Sequence, residues 1–460
     1  MFGARNRGIP APPVKSALPG RVGPVHGVED LNGKGPKIAE SGGPAAILTI
    51  GTLFFIFGFV TWLNGPLITF VKLAFDLNDL NAFLVPMAFY LSYFFLALPA
   101  SAILRWTGLK QGMAIGLYVT AFGSALFGQF TTMREYPGAL TGLFVTGAGL
   151  SLLQTASNPY VCILGPHESA ARRIAVMGIC HKFAGVIAPF IFAALVLKGV
   201  DTFGADVTKA ATPEARETML EAFAARVHGP YLLMAILLAL LGLWIARSTL
   251  PDIRLHEVDA AGPRGDAPSI FAFPHLWLGV ACLFLYVGVE VMAGDAIGLY
   301  GAGFGLPISA TRFFTSYTLT AMLVGYVAGL LVIPRFLSQQ SYLALSAALG
   351  IVLSIGAYLT SGYASVAFIA SLGFANAMMW PAIFPLAIRG LGARTETGSA
   401  VLIMAISGGA LMPYAFGMLK EHVDFQVAYA LLAVPSYIYI FFYGMAGYAA
   451  KRRNLISVSP

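Results

Sequence analysis

The sequence predicts an all-α membrane protein: twelve transmembrane helices in two pseudo-symmetric six-helix bundles, with both termini cytoplasmic. Three observations predict it. The composition is too poor in charge for a water-facing surface, apolar runs of spanning length recur twelve times, and short motifs repeat once at about half the chain length.

Composition comes first. Of 460 residues, 58% are hydrophobic and 11% charged. Soluble domains carry about 25% charged residues. So few charges cannot cover a surface in water, and lipid must be most of this chain's solvent. The net charge of +7 does not point to nucleic acid, because the positive charges sort by loop and form no single patch. The three cysteines, Cys162, Cys180 and Cys282, lie in apolar stretches and offer neither metal spacing nor a disulfide framework. No metal site and no cofactor are expected. No Gly-x-x-x-x-Gly-Lys-Ser/Thr stretch is present, which argues against ATP as the energy source.

A bilayer is crossed by about 20 apolar residues in a helix. Runs of this kind fall near 46–73, 81–104, 111–132, 138–164, 174–198, 229–248, 274–300, 311–334, 341–361, 365–388, 397–419 and 426–450, here called spans one to twelve. Residues 1–45 read as a disordered cytoplasmic tail without a secretory signal. Residues 249–273, rich in Pro, Gly and charge, read as a cytoplasmic linker between bundles at 46–248 and 274–450, and 451–460 read as a second tail.

Lys and Arg set the orientation. With the N-terminal tail inside, nineteen of the 28 lie in inside segments, eight lie outside, and Lys182 is within a span. This predicts a multi-pass protein of a bacterial inner membrane. The repeat supports the two bundles. Pro99 to Arg105-Trp106 closes span two, and Gly329 to Arg335-Phe336 closes span eight, 230 residues later. Asn158-Pro159 through Arg172 ends span four, and Trp380-Pro381 through Arg394 ends span ten, 222 residues later. Parallel halves of this kind hold a substrate near the midplane between them.

Ionisable residues within spans are the main functional clue, because each costs at least about 2.5 kcal/mol in hydrocarbon. Span five carries His181 and Lys182. Lys182 lies nine residues beyond Arg173, about 13 Å deep at the helical rise. It must find an anion, either as a fixed ion pair or in a substrate or coupling role. Span seven carries Glu290 and Asp295, about 140° apart on an ideal helix. Gly288, Gly294, Gly298, Gly301 and Gly303 favour a break in that span. One cation cannot pair with both acids. The acid left over is costly to ionise in a poorly hydrated site, as a proton-coupling carboxyl must be.

Gln154 and Asn158 stand at i and i+4 on one face of span four. Their amides, with Asn64 in span one and Asn376 in span ten, suit either cargo hydroxyls or bonds between helices. Trp380, and less so Trp62 and Tyr300, are candidates to cover an apolar face of a cargo. Arg105 and Arg335, at the ends of spans two and eight, are candidate gating residues or simple positive-inside anchors.

These stretches resemble the fucose and glucose/galactose permeases, sugar–cation symporters of the major facilitator superfamily. Phe54-Phe-Ile-Phe-Gly-Phe-Val-Thr-Trp-Leu-Asn64-Gly65 is similar to their first helix, and Ala88-Phe-Tyr-Leu-Ser-Tyr-Phe-Phe-Leu-Ala-Leu-Pro99 to their second. Leu153-Gln-Thr-Ala-Ser-Asn-Pro-Tyr160, then Leu164-Gly-Pro, resembles their fourth. Leu285-Tyr-Val-Gly-Val-Glu290 resembles their seventh, and Trp380-Pro-Ala-Ile-Phe-Pro their tenth. The resemblance runs from about residue 46 to 450 and implies alternating access. It fails at two acids: the fucose permeases carry an aspartate where Gly65 aligns and a glutamate where Gln154 aligns. The 230-residue repeat offset sets Gly65 opposite Asp295. Met177-Gly-Ile-Cys-His-Lys182 resembles a branch labelled for glucose/galactose or N-acetylglucosamine.

The expectation is therefore a secondary transporter importing a hexose or amino-hexose by proton symport. Its substrate residues are Asn64, Gln154, Asn158, Lys182, Asn376 and Trp380, and its coupling acid is Glu290 or Asp295. His181 and Lys182 serve the ion pair or the substrate. Sodium is the alternative coupling ion, and a sugar acid or organic anion bound by Lys182 the alternative cargo. The partners are a small-molecule sugar and membrane lipid, not nucleic acid, and a monomer suffices.

Overall fold

The computed structural model describes residues 44–163, 170–251, 269–333, 335–391 and 394–450. Residues 1–43 of the expected tail at 1–45, the tail at 451–460, most of the linker and the Leu164-Gly-Pro stretch lie outside the described residues.

The described residues carry eleven helices long and apolar enough to cross a membrane. One, Asp79–Thr132, has 54 residues, about 80 Å of continuous helix by its rise. A hydrocarbon core of about 30 Å cannot contain that. Its backbone turns at Gly108, where φ is 77° and ψ 168°. That left-handed region is open to glycine and disfavoured for residues with a Cβ. Spans two and three therefore lie on either side of Gly108.

Four spans are interrupted near mid-depth. Span one runs Pro44–Trp62 and resumes as Asn64–Ala74. Pro66 has no N–H for the Trp62 carbonyl, which accounts for the break. Span seven runs Pro274–Gly294 and resumes at Ile297–Ala302. Span ten runs Gly362–Asn376 and Met379–Ile388. Span eleven runs Thr395–Met404 and Gly408–Leu419 around a short 3-10 turn. The uninterrupted spans are Tyr136–Ile163, Ala170–Leu195, His228–Arg247, Phe314–Val332, Gln339–Leu359 and Phe425–Met445.

Helix contacts follow membrane rules. Spans three and four meet through Gly116, Gly123, Gly142 and Gly149. A Cβ on Gly123 would stand 2.3 Å from the Thr146 amide, and one on Gly149 2.4 Å from that of Thr120. Small residues let the backbones approach, which is how helices gain packing without a hydrophobic driving force. Buried hydroxyls return to their own helix: Thr120 donates to Gly116 O and Ser124 to Thr120 O. Leu232, Leu233, Ile236, Leu237 and Leu240 stay exposed along one face of span six, as lipid contact demands.

The connection between spans five and six was expected only as an outside segment. It contains two helices, Val200–Thr208 and Pro213–Ala224. Thr212 caps the second by accepting the Ala215 amide at 3.2 Å, with Pro213 at the first helical position. Phe203 stacks on Phe223 at 4.2 Å. Arg216 pairs with Asp76 and Arg134 with Glu217, tying this hairpin to the neighbouring connections.

Candidate functional site

Spans one, two, four, five, seven, eight, ten and eleven enclose a central cavity of about 110 Å³. Gln154 and Asn158 both line it, as their shared helix face requires. His181, Lys182, Glu290 and Trp380 line it too, with Phe57, Thr61, Trp62, Tyr90, Tyr93, Tyr286 and Tyr326. Its walls therefore combine many aromatic rings with a few convergent polar groups, the usual make-up of a small-molecule site.

Among the described residues, two hydrogen bonds between side chains join the first six spans to the last six at this level. Lys182 Nζ donates to Glu290 Oε1 at 2.8 Å, with both side chains nearly buried. The ammonium also stands 4.4 Å from the Trp62 ring centroid, a cation–π contact. Trp62 fits there because Gly185 and Gly294 clear its path: a Cβ on Gly294 would meet Trp62 Cζ3 at 2.4 Å, and one on Gly185 would meet Cδ1 at 2.6 Å.

The second contact is at the break in span seven. Asp295 is 1% exposed and follows the last residue of the first helical segment. Span eight takes the carbonyls the break leaves free: Thr315 donates to Gly294 O at 2.7 Å and Thr318 to Ala293 O at 2.8 Å. The exposed backbone of the expected break is thus satisfied by protein. Tyr90, from span two, donates its hydroxyl to Asp295 Oδ2 at 3.3 Å, while Oδ1 accepts no hydrogen bond. The Gly65 amide acts on the same carboxyl. The repeat offset makes these two positions counterparts in the two halves. A Cβ on Gly65 would stand 2.3 Å from Thr315 Oγ1, so a second acid has no room there.

Two expected substrate residues stand apart from the cavity wall. Asn64, 2% exposed, is turned by the break in span one toward Tyr90. Asn376, fully buried, accepts from the Tyr437 hydroxyl at 2.9 Å. Neither is among the described lining residues. Tyr300 lies further along span seven, bonded to Ser365 and packed on Phe425 and Tyr429. Arg105 and Arg335 are exposed on the face where the first described span starts and the last one ends, and they do not line the cavity. The Arg335 guanidinium stands 5.8 Å from the Phe336 ring. Among the described residues no His, Cys, Asp or Glu cluster could hold a metal ion.

The opposite face is closed by bonds between the halves. Asp79 lies between Lys72 of its own half and Lys420 of the other. Burial pushes the Asp79 carboxyl up, but the two ammonium groups outweigh it, and the net position is below the usual carboxylate range. Asp201 accepts the Ser309 amide at 2.7 Å, Arg312 donates to Leu197 O at 3.2 Å, and Phe190 stacks on Phe313 at 5.0 Å. The cavity extends instead toward the face where the first described span starts and the last one ends, past Asn158, Ile174 and Pro381.

Residues 50–413 match the Major Facilitator Superfamily. The chain belongs to that superfamily. It is a multi-pass membrane transporter, and its fold and relatives are those of transporters rather than enzymes. It is 32% identical over 405 residues to a glucose/galactose transporter of Brucella abortus biovar 1 (strain 9-941), covering 87% of this chain and 94% of the relative. It is 28% identical to an L-fucose-proton symporter of Escherichia coli (strain K12), covering 82% and 87%. The crystal structure of the facilitator FucP in the outward conformation superposes with a TM-score of 0.71 at 24% identity, covering 87% of this chain and 98% of that one. That likeness is one of fold.

Proposed function

We propose that this chain imports a neutral hexose or amino-hexose together with a proton, by alternating access across a bacterial inner membrane. The observation that carries this reading is the Lys182–Glu290 pair. Among the described lining residues these two bear the fixed charges, and they cancel each other. A cavity of zero net charge suits an uncharged cargo. A lysine already engaged at 2.8 Å is poorly available to a cargo carboxylate. The names of the relatives, glucose/galactose transporter and L-fucose-proton symporter, support the same cargo class.

The polar lining fits hydroxyl chemistry. Thr61 Oγ1, Trp62 Nε1, Gln154 Oε1 and His181 Nε2 are buried without a protein partner and belong to lining residues. Together they offer donors and acceptors, which ligand hydroxyls can satisfy in both senses. Trp380 and the tyrosines supply flat apolar surface for the faces of a sugar ring.

Asp295 is the acid left without a cation, so it is the proposed proton carrier. In the cycle, Asp295 takes a proton on the outside and cargo binds against Gln154 and Asn158. The halves then rock, exchanging a closure on the cytoplasmic face for the Asp79–Lys420 closure on the outer face, and both cargoes leave inward. With the chain ends cytoplasmic, the present arrangement is the inward-facing one. Charge entry supplies about 2.3 kcal/mol per 100 mV, enough to concentrate a neutral sugar. Two complete halves make a monomer sufficient.

The test is uptake of labelled glucose, galactose, fucose and N-acetylglucosamine into proteoliposomes, with and without an imposed inward proton gradient. Accumulation of one sugar, abolished by an uncoupler, is the expected result. Entry that ignores the proton gradient but follows sodium would transfer coupling to sodium. Failure of all four, with competition by a sugar acid, would overturn the neutral-cargo reading.

A further inference from the structure

Asp295 is 1% exposed and is absent from the described lining of the cavity, yet a proton it carries must reach water on the cavity side. One described side chain both lines the cavity and hydrogen-bonds the acid. Tyr90 contributes to the cavity wall and donates to Asp295 Oδ2 at 3.3 Å. We propose that the Tyr90 hydroxyl is the proton relay between Asp295 and the cavity, and that its span-two position makes the relay conditional on the conformation of the two halves. The inference rests on the reading of Asp295 as the coupling acid.

The surroundings leave few other routes. Asp295 faces Tyr90 from span two, the Gly65 amide from span one, Lys182 from span five and Glu290 on its own span. An amide N–H cannot pass on a proton at ordinary cost. Lys182 and Glu290 are engaged with each other at 2.8 Å. Tyr90 in turn faces Asp295, Glu290, Tyr93 and the Asn64 side chain. Its ring is fixed by Phe89 at 5.0 Å and lies against Gly409 of span eleven, where a Cβ would come within 3.1 Å. The hydroxyl is thereby held at the seam between the halves.

The transfer balances without ionising the phenol. The protonated Asp295 carboxyl gives its proton to the Tyr90 oxygen, and the hydroxyl's own proton passes to a water or cargo hydroxyl in the cavity. One carboxyl O–H bond breaks, one O–H bond forms on the acceptor, and the tyrosine is neutral before and after. The hydroxyl then turns to donate to the carboxylate, the arrangement seen here. Tyr90 and Asp295 belong to different halves. Rocking therefore breaks their contact and disconnects the acid from this side.

The test is Tyr90→Phe, which removes one oxygen and keeps the ring's packing. Sugar counterflow, which needs no net proton movement, is measured beside proton-driven accumulation in the same proteoliposomes. The expected result is a fall in the ratio of accumulation to counterflow of about a hundredfold or more, the range of a lost proton-transfer group. The dependence of accumulation on internal pH should flatten as well. A ratio and pH profile equal to wild type would overturn the relay, whatever happens to absolute rates. Asp295→Asn, run alongside, separates the two claims. If it uncouples transport and Tyr90→Phe does not, only the relay falls. If Asp295→Asn stays fully coupled, the reading of Asp295 falls and the relay with it.

Discussion

The two halves bring different chemistry to the same cavity. The first six spans supply Lys182 and every lining group with an unsatisfied polar atom: Thr61, Trp62, Gln154 and His181. The last six supply both midplane acids, Glu290 and Asp295, and broad surface from Tyr286, Tyr326 and Trp380. The fold is pseudo-symmetric but its functional groups are not. Among the described lining residues the unpartnered polar atoms are concentrated in one half and the negative charge in the other, so in the proposed cycle any rocking motion moves one past the other.

The largest effect expected from breaking this division is at Asp295. Asp295→Asn keeps the size and the Tyr90 contact but cannot carry a proton. Accumulation against a gradient should vanish while counterflow persists. Full accumulation in this variant, measured with labelled sugar, would move coupling to Glu290.

The ion pair comes next. Removing one partner strands a buried charge, so Glu290→Gln and Lys182→Met should each destabilise the protein by about 3–5 kcal/mol. The double variant Lys182→Met/Glu290→Met should recover most of that, because replacing a buried pair by apolar groups of similar volume is often neutral. Thermal unfolding in detergent reads this. A loss in the double variant equal to the sum of the two single losses would mean that the two residues act separately.

How much of this could be read from the sequence varies by residue. The spans are legible from apolar run length alone, since lipid imposes it. The break in span seven is legible from its glycines. Lys182 was recognisable as needing an anion, but choosing Glu290 over Asp295 required the rotation of span seven about its break, which spacing does not give. Asn64 and Asn376 point away from the cavity wall for the same reason: each sits at an interruption, where helical phase is lost. Tyr90 lies within the Ala88–Pro99 stretch of span two. Its signal is general, because a phenol buried in a span needs a partner and Asp295 was an acid without one. The helix at Pro213–Ala224 had its signal in Thr212-Pro213, a cap followed by a helix-starting proline.

The hydrogen-bonding half should show smaller, graded effects. Gln154→Ala and Asn158→Ala each remove about 0.5–1.5 kcal/mol of neutral hydrogen bonding, a rise in KM of roughly 2- to 12-fold. Trp380→Leu, on the other half, removes surface rather than hydrogen bonds and should change selectivity among sugars less than Gln154→Ala does. A larger loss of selectivity at Trp380, in competition assays with epimeric sugars, would reverse the assignment of the halves.

The smallest effect is expected where the halves meet on the closed face. Lys420→Gln removes the cross-half partner of Asp79 but leaves Lys72. A partly exposed pair of this kind contributes about 0.2–1 kcal/mol, so the inward-facing population should fall by a factor of roughly 1.4 to 5. The pH dependence has a definite sign. The Asp79 carboxyl is held below its ordinary value by the two lysines. Its contribution is therefore complete above the ordinary carboxylate pKa of about 3.9 and is lost only as pH falls through the depressed value. Between pH 5 and 8 the closure should hold constant strength. A double-label distance measurement across Asn78 and His422 should then give the same distribution throughout that range in a background lacking Asp295. A shift within it would mean that a second titrating group controls the closed face, and that coupling is not confined to the acids of the second half.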